Sequence, residues 1–513
     1  MHNRETILII DFGSQFTKLI TRRIREANVY SEIYPHTISV DKIKEIKPKG
    51  IIFSGGPLSV YDEGAPEIDK EILSLKIPVL GICYGLQLIC INFGGKVEPA
   101  ADREYGKAVL RTLDDSDILS GINDASVVWM SHGDYLSEIP PGFKVIGESD
   151  HSPICAISNN VKRIYGLQFH PEVVHTEEGK KIIDNFLFEI CNCKADWTAE
   201  NFIGEKIESI KNEVGNAKAI CALSGGVDST VAAVLVKKSI DKNLICIHID
   251  TGLMRKNESK KVGELFDEKL NLEHIHVNAS KKFLKNLKGV SDPEEKRKII
   301  GNTFIEVFEE EAKKIKTAEF LVQGTLYPDV IESMPVNGAS VTIKTHHNVG
   351  GLPEKMNLKL IEPFRALFKD EVRKVGKQLK IPEEFIVRHP FPGPGLAVRI
   401  LGEVSEEKLE ILREADDIFI TSIKEEAIYK NIWQAFAILL PVNSVGVMGD
   451  ARTYENVLAL RAVTSVDGMT ADWYTFEHDF LADVSNKIIN KVKGVNRVVY
   501  DVSSKPPATI EWE

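Results

Sequence analysis

At 513 residues the chain is too long for one hydrophobic core, so roughly two to four domains are expected. A hydrophobic content of 43% with 27% charged residues fits a soluble globular protein, and a net charge of −11 argues against nucleic acid as a partner. No run approaches the ~18–20 apolar residues of a membrane span, 7–10 is too short for a secretory leader, and seven cysteines in so long a chain make no disulfide framework. The expectation is a cytoplasmic protein without a membrane partner.

In chain order, short β-branched runs at 7–11, 50–53, 79–83 and 164–169 alternate with amphipathic stretches such as 68–75 and 181–188, the pattern of an α/β domain with a mainly parallel sheet. The pattern lapses around 191–197, which reads as a linker. A second α/β series follows, with strands expected at 219–223, 244–250, 274–277 and 320–323. The stretch His389-Pro390-Phe391-Pro392-Gly393-Pro394-Gly395 then interrupts regular structure, because prolines donate no backbone N–H. Long charged helices (405–424, 476–493) and strand-like runs (444–448, 497–502) close the chain as a smaller α+β region. The expected domains are therefore 1–195, 196–388 and 389–513.

Three segments of the first region carry chemistry. In Gly81-Ile82-Cys83-Tyr84-Gly85-Leu86-Gln87 a strand runs into a cysteine between glycines, then a helix; such an elbow exposes the sulfur, and a helix N-terminus favours negative charge there. Gln168-Phe169-His170-Pro171-Glu172 sets His170 and Glu172 two apart on an extended run, so both side chains point the same way. A histidine oriented by a carboxylate and close to a thiol is a general base for nucleophilic catalysis. Ser54-Gly55-Gly56-Pro57 offers a backbone N–H to an oxyanion. Together these segments resemble the class I glutamine amidotransferases. The resemblance implies Cys83 as nucleophile, His170 as base, Glu172 as its orienting partner and an oxyanion hole at Gly56 and Tyr84, with Gln87 and Asp134 as glutamine contacts.

In the second region Ser224-Gly225-Gly226-Val227-Asp228-Ser229 follows an apolar run and precedes a helix expected over 230–238. Glycines let backbone N–H groups approach phosphate oxygens, and the helix adds its positive dipole end. The segment lacks the Walker A pattern and resembles the pyrophosphate loop of the ATP pyrophosphatases. Asp250 and Gly252 end the next strand, where open α/β sheets bind ligands. Asp329 and Glu332 share a face if their segment is helical, and carboxylates near ATP usually serve Mg2+, whose individual ligands the sequence leaves open. Lys344-Thr345-His346-His347-Asn348 before two glycines suits a loop that closes on a polyanion.

These segments, with the proline-rich stretch and the ending Lys505-Pro506-Pro507-Ala508-Thr509-Ile510-Glu511-Trp512-Glu513, make the whole chain resemble the glutamine-hydrolysing GMP synthases. That resemblance implies XMP, ATP and glutamine as substrates, Mg2+ with ATP, and a homodimer through the C-terminal region. It also implies XMP binding by Arg297, Gln434, Arg497, Lys505 and Glu511. The alternatives are another amidotransferase–pyrophosphatase, such as glutamine-dependent NAD synthetase, and an inactive scaffold keeping the fold.

Overall fold

The computed structural model describes residues 4–115, 117–315, 317–333, 358–448, 451–465, 468 and 470–513. It falls into two compact units, Met1–Asn201 and Phe202–Glu513.

Among the described residues of the first unit, the sheet has nine strands. Tyr30–Pro35, Thr6–Asp11, Gly50–Phe53, Val79–Ile82 and Ile164–Leu167 lie side by side and parallel. Antiparallel strands extend this sheet, ending in the long pair Lys96–Thr112 and Ser126–Glu138. Within Thr6–Asp11, Ile7 and Ile9 enter one core while Leu8 and Ile10 enter another, so both faces of the strand are buried. This is why the strand reads as an unbroken apolar run.

In the second unit, His274–Asn278, Leu244–Asp250, Lys218–Leu223, Ala318–Val322 and Lys359–Ile361 form an all-parallel sheet in that order. A mixed sheet follows, in which Gln434–Met448 pairs antiparallel and Val495–Tyr500 parallel with Ala451–Thr464. The helix Glu406–Glu425 buries Leu409, Leu412, Phe419 and Ile423 at helical spacing. One continuous core runs from Ile220 and Ile247 to Leu439 and Leu458. The architecture is two α/β regions followed by a smaller α+β region.

Several element ends differ from the sequence expectation. The strand expected over 164–169 stops at Leu167, because Gln168 N–H donates to Cys155 O and His170 N–H to Trp129 O, which leads the chain off the sheet. The stretch 68–75 holds only a 3-10 turn, Lys70–Ser74. The helix expected over 181–188 begins as Gly179–Asp184 and widens into a π turn, Asn185–Ile190, closed by Cys191 N–H on Phe186 O. The stretch 191–197 has neither helix nor strand, yet it is packed: Trp197 lies 4.7 Å from the Tyr30 ring, with Arg4 over its face.

Candidate functional site

The thiol turn of the first unit is one residue long. Val79–Ile82 ends, Cys83 sits at φ 50° and ψ −106°, and the helix Tyr84–Asn92 begins. Small neighbours make this possible: a Cβ on Gly81 would lie 2.5 Å from the Gly85 carbonyl carbon, and one on Gly85 would lie 2.5 Å from Phe53 O. A side-chain-bearing residue at positive φ is strained, and such strain collects where a reactive atom must be presented.

The Cys83 thiol faces Ser131 O at 3.6 Å, and the Gln168 amide donates toward its sulfur at 3.7 Å. His170 Nδ1 meets Glu172 Oε1 at 2.8 Å, with both residues buried. Burial disfavours the imidazolium, but the Glu172 charge and hydrogen bonds with Cys83 and Glu172 raise His170 to about 10. The backbone around the pair is fixed by Thr176, whose hydroxyl donates to His170 O at 2.6 Å, and by Arg23, whose Nε donates to Glu172 O at 2.9 Å. Tyr84 opens its helix, so its N–H has no intrahelical acceptor. Gly56 packs beside it, where a Cβ would meet Tyr84 Cγ at 3.1 Å. Gln87 is buried and donates its amide to Asp134 O at 3.2 Å, so two of the expected glutamine contacts bond each other. The arrangement suits attack by a thiol on a carboxamide, with His170 as proton carrier.

In the second unit the strand Lys218–Leu223 leads through 224–226 into the helix Val227–Ile240, capped by Gly226. Gly225 has φ +75°, a conformation open to glycine at no steric cost. The hydroxyls of Ser224 and Ser229 lie 3.1 Å apart, and Gly226 N–H donates to Ser224 Oγ at 3.3 Å. Lys369 Nζ approaches Asp228 Oδ2 at 3.4 Å, while Asp228 Oδ1 is buried without a hydrogen-bond partner among the described residues. Asp250 accepts from Gly252 N–H at 2.9 Å, which shapes the turn after the adjacent strand. Asp329 lies on the helix Tyr327–Ser333 together with Glu332, and its Oδ2 accepts from Leu326 N–H at 2.9 Å. The expected loop at Lys344, Thr345, His346, His347 and Asn348 lies outside the described residues.

The C-terminal tail is held by three buried cations that local pattern did not single out. Arg399 forks onto Glu511 at 2.8 and 3.1 Å; Gln434 Nε2 donates to the same carboxylate at 2.5 Å. Lys296 binds Glu513 Oε2 at 2.5 Å, and Arg297 donates to Glu513 O. Arg461 donates to Ile510 O, Thr509 O, Ser503 O and Asp501. Gln434, Arg297 and Glu511 thus meet at the tail. Lys505 instead donates to Gly468 O at 2.8 Å, and Arg497 stands exposed on Val495–Tyr500. The available signal for Arg399 was a lone charge within Leu396-Ala397-Val398-Arg399-Ile400-Leu401.

Residues 8–190 match the family described as Glutamine amidotransferase class-I, residues 198–302 match NAD synthase, and residues 421–512 match the GMP synthase C terminal domain. The NAD synthase match covers the glycine-rich loop and ends well before the tail. Over 512 residues the chain is 59% identical to a protein of Brachyspira hyodysenteriae named GMP synthase (glutamine-hydrolyzing), with 100% of each chain covered. It is 60% identical over 510 residues to the protein of that name from Aquifex aeolicus, covering 99% of this chain and 100% of that one. The chain belongs to the glutamine-hydrolyzing GMP synthase family.

Proposed function

We propose that the chain is a ligase converting XMP, ATP, glutamine and water to GMP, AMP, pyrophosphate and glutamate. The observation that carries the glutaminase half is the 2.8 Å bond from His170 to Glu172 beside Cys83. His170 takes the Cys83 proton as the sulfur attacks the glutamine carboxamide carbon, the N–H groups of Gly56 and Tyr84 receive the developing oxyanion, and His170 passes that proton to the departing ammonia. Water then releases glutamate from the thioester, with His170 as base. Gln87 and Asp134 line the glutamine pocket in this reading.

In the second half the C2 oxygen of xanthine attacks the α-phosphorus of ATP. Pyrophosphate leaves into the turn at 224–229, where Ser224, Gly225, Gly226, Val227, Asp228 and Ser229 receive it, and adenosine lies toward Asp250 and Gly252. Ammonia then attacks C2 and AMP departs. Arg297, Gln434, Arg497, Lys505 and Glu511 hold XMP, and 344–348 cover the polyanion. An oxygen on the Asp228 carboxylate that is buried and unpartnered among the described residues suits an oxygen-seeking ion, so Asp228 would hold Mg2+, which screens phosphate charge when bound with ATP, while Asp329 and Glu332 face ATP in this reading. The regions 1–195, 196–388 and 389–513 serve as amidotransferase, pyrophosphatase and XMP-binding parts, in the cytoplasm. Val445, Val447 and Tyr454 are exposed on the hairpin of the last sheet, which supports a homodimer through that face.

The acceptor rests on the full-length relatives rather than on either turn. XMP-dependent AMP release with glutamine and with ammonium, run against deamido-NAD, tests it; turnover with deamido-NAD alone would overturn the reading. Sedimentation of the chain and of Val447→Asp tests the dimer.

A further inference from the structure

An anion turn works only if its N–H groups face the ligand and its carbonyl oxygens do not. Three carbonyls around 224–229 are already engaged. Gly226 O accepts from Thr230 N–H and from Ser229 Oγ, as the first helical turn requires. Leu223 O accepts from His248 Nδ1 at 2.8 Å, and Gly225 O from Arg388 Nη1 at 2.9 Å.

The last two bonds lead back to adjacent residues of one helix. His248 is fully buried on the neighbouring strand, directly opposite Leu223 in register. Because its Nδ1 donates to a carbonyl, Nε2 is the acceptor in the neutral ring, and the Ser259 hydroxyl donates to it at 3.0 Å. Ser259 Oγ in turn faces His276 Nε2 at 3.2 Å. Arg388 pairs with Glu258, whose other oxygen accepts from Arg255 N–H at 3.0 Å. Glu258 and Ser259 are the first two residues of the helix Glu258–Glu264. The same helix supplies Val262, whose methyl lies 2.8 Å from where a Gly225 Cβ would stand. One short helix therefore packs on the turn and reaches two of its carbonyls through two separate chains.

We infer that His248 and Arg388 are positioning residues for the cleavage of ATP: they draw the carbonyls of Leu223 and Gly225 away from the anion, braced by Ser259 and Glu258. The inference rests on the reading of 224–229 as the pyrophosphate site. A bare carbonyl dipole turned toward phosphate opposes binding, so loss of either brace weakens ATP more than XMP. Phenylalanine at 248 keeps a ring but removes the donor. Asparagine places an amide N–H close to the position of Nδ1.

The test is XMP- and ammonium-dependent AMP release by the full chain, with thermal melting as the control for folding. His248→Phe and Arg388→Gln are each expected to raise the KM for ATP about tenfold, the effect of one lost buried hydrogen bond, without moving the KM for XMP. His248→Asn is expected to recover most of that loss, and Ser259→Ala to raise the KM about threefold. A merely structural role for His248 would move both KM values and give no rescue. Ser229→Ala separates the two readings. If it weakens ATP use while Arg388→Gln and folded His248→Phe, or Ser259→Ala should His248→Phe not fold, match the wild type, the positioning inference alone fails. If Ser229→Ala itself leaves ATP use unchanged, the pyrophosphate reading fails and takes the inference with it.

Discussion

Two turns in this chain share one plan: a buried parallel strand ends, a tight turn follows and a helix begins. After Val79–Ile82 the turn is Cys83 alone, and the residue at positive φ carries the thiol. After Lys218–Leu223 the turn is three residues, and the positive φ falls on Gly225 while the Ser224 and Ser229 hydroxyls and the Gly226 N–H line it. A nucleophile needs one atom fixed in one place, so strain of about 1–3 kcal/mol on its own residue is tolerable. A phosphate cradle needs several N–H groups at once, so the freedom is given to glycine and the surrounding chain must hold the shape.

The largest break in this comparison is Cys83→Ala. Glutamine-dependent GMP formation is expected to fall by more than ~1000-fold, while ammonium-dependent formation stays within about twofold, because the second turn has no need of the thiol. Loss of both activities in a folded variant would mean that the two turns do not work separately. Next comes Gly85→Ala. The added methyl would stand 2.5 Å from Phe53 O and 2.6 Å from Phe53 Cβ, both on a fully buried strand. A cost of about 2–4 kcal/mol is expected in urea unfolding, with glutaminase activity lost in proportion as the elbow opens.

Glu172→Gln probes the brace behind the first turn. His170 is raised from 6.5 to about 10, with Glu172 and Cys83 as the opposing forces to burial. A histidine whose folded value lies above its unfolded one stabilises the fold fully below about pH 6.5, and that contribution fades as pH rises toward 10. Unfolding free energy of the wild type should therefore decline across that window by about 1–3 kcal/mol more than that of Glu172→Gln. Parallel curves would remove Glu172 as the source of the shift.

Local spacing made the elbow and the glycine-rich turn legible, since Gly81, Cys83 and Gly85, like Ser224 to Ser229, act on neighbours a few positions away. His170 and Glu172 were legible for the same reason, although they meet past the end of their strand rather than on it. What escaped were the long-range partners of the buried cations. Arg399 meets Glu511, and Lys296 meets Glu513, across more than a hundred residues of chain. Arg388 reaches Gly225 from 163 residues further along the chain, past the last strand of its sheet. No periodicity reports such pairs, because a buried cation in sequence looks like any other charge. The carboxylate that satisfies it is placed by the fold. Gln87 shows the converse: its helix position was read correctly, but its amide is bound to Asp134 O, a contact set by the facing strand.

The smallest expected effect sharpens the comparison most. Gly226 has φ −73°, ordinary for any residue, and the nearest atom to an added Cβ is Ser224 Oγ at 3.3 Å, the end of a short side chain that can turn. Gly226→Ala should therefore change stability by less than about 1 kcal/mol, far below the cost of the same substitution at Gly85. Yet Ser224 Oγ is also the acceptor for Gly226 N–H, so the methyl disturbs the turn at the place where phosphate would sit. A KM for ATP raised about threefold, with the melting temperature unmoved, is the expected pattern. It would separate the two uses of glycine in this chain: at 85 the missing side chain lets a helix pack on a strand, and at 226 it leaves room for a ligand. A variant that melts early with normal ATP kinetics would instead make both glycines packing residues and erase the distinction.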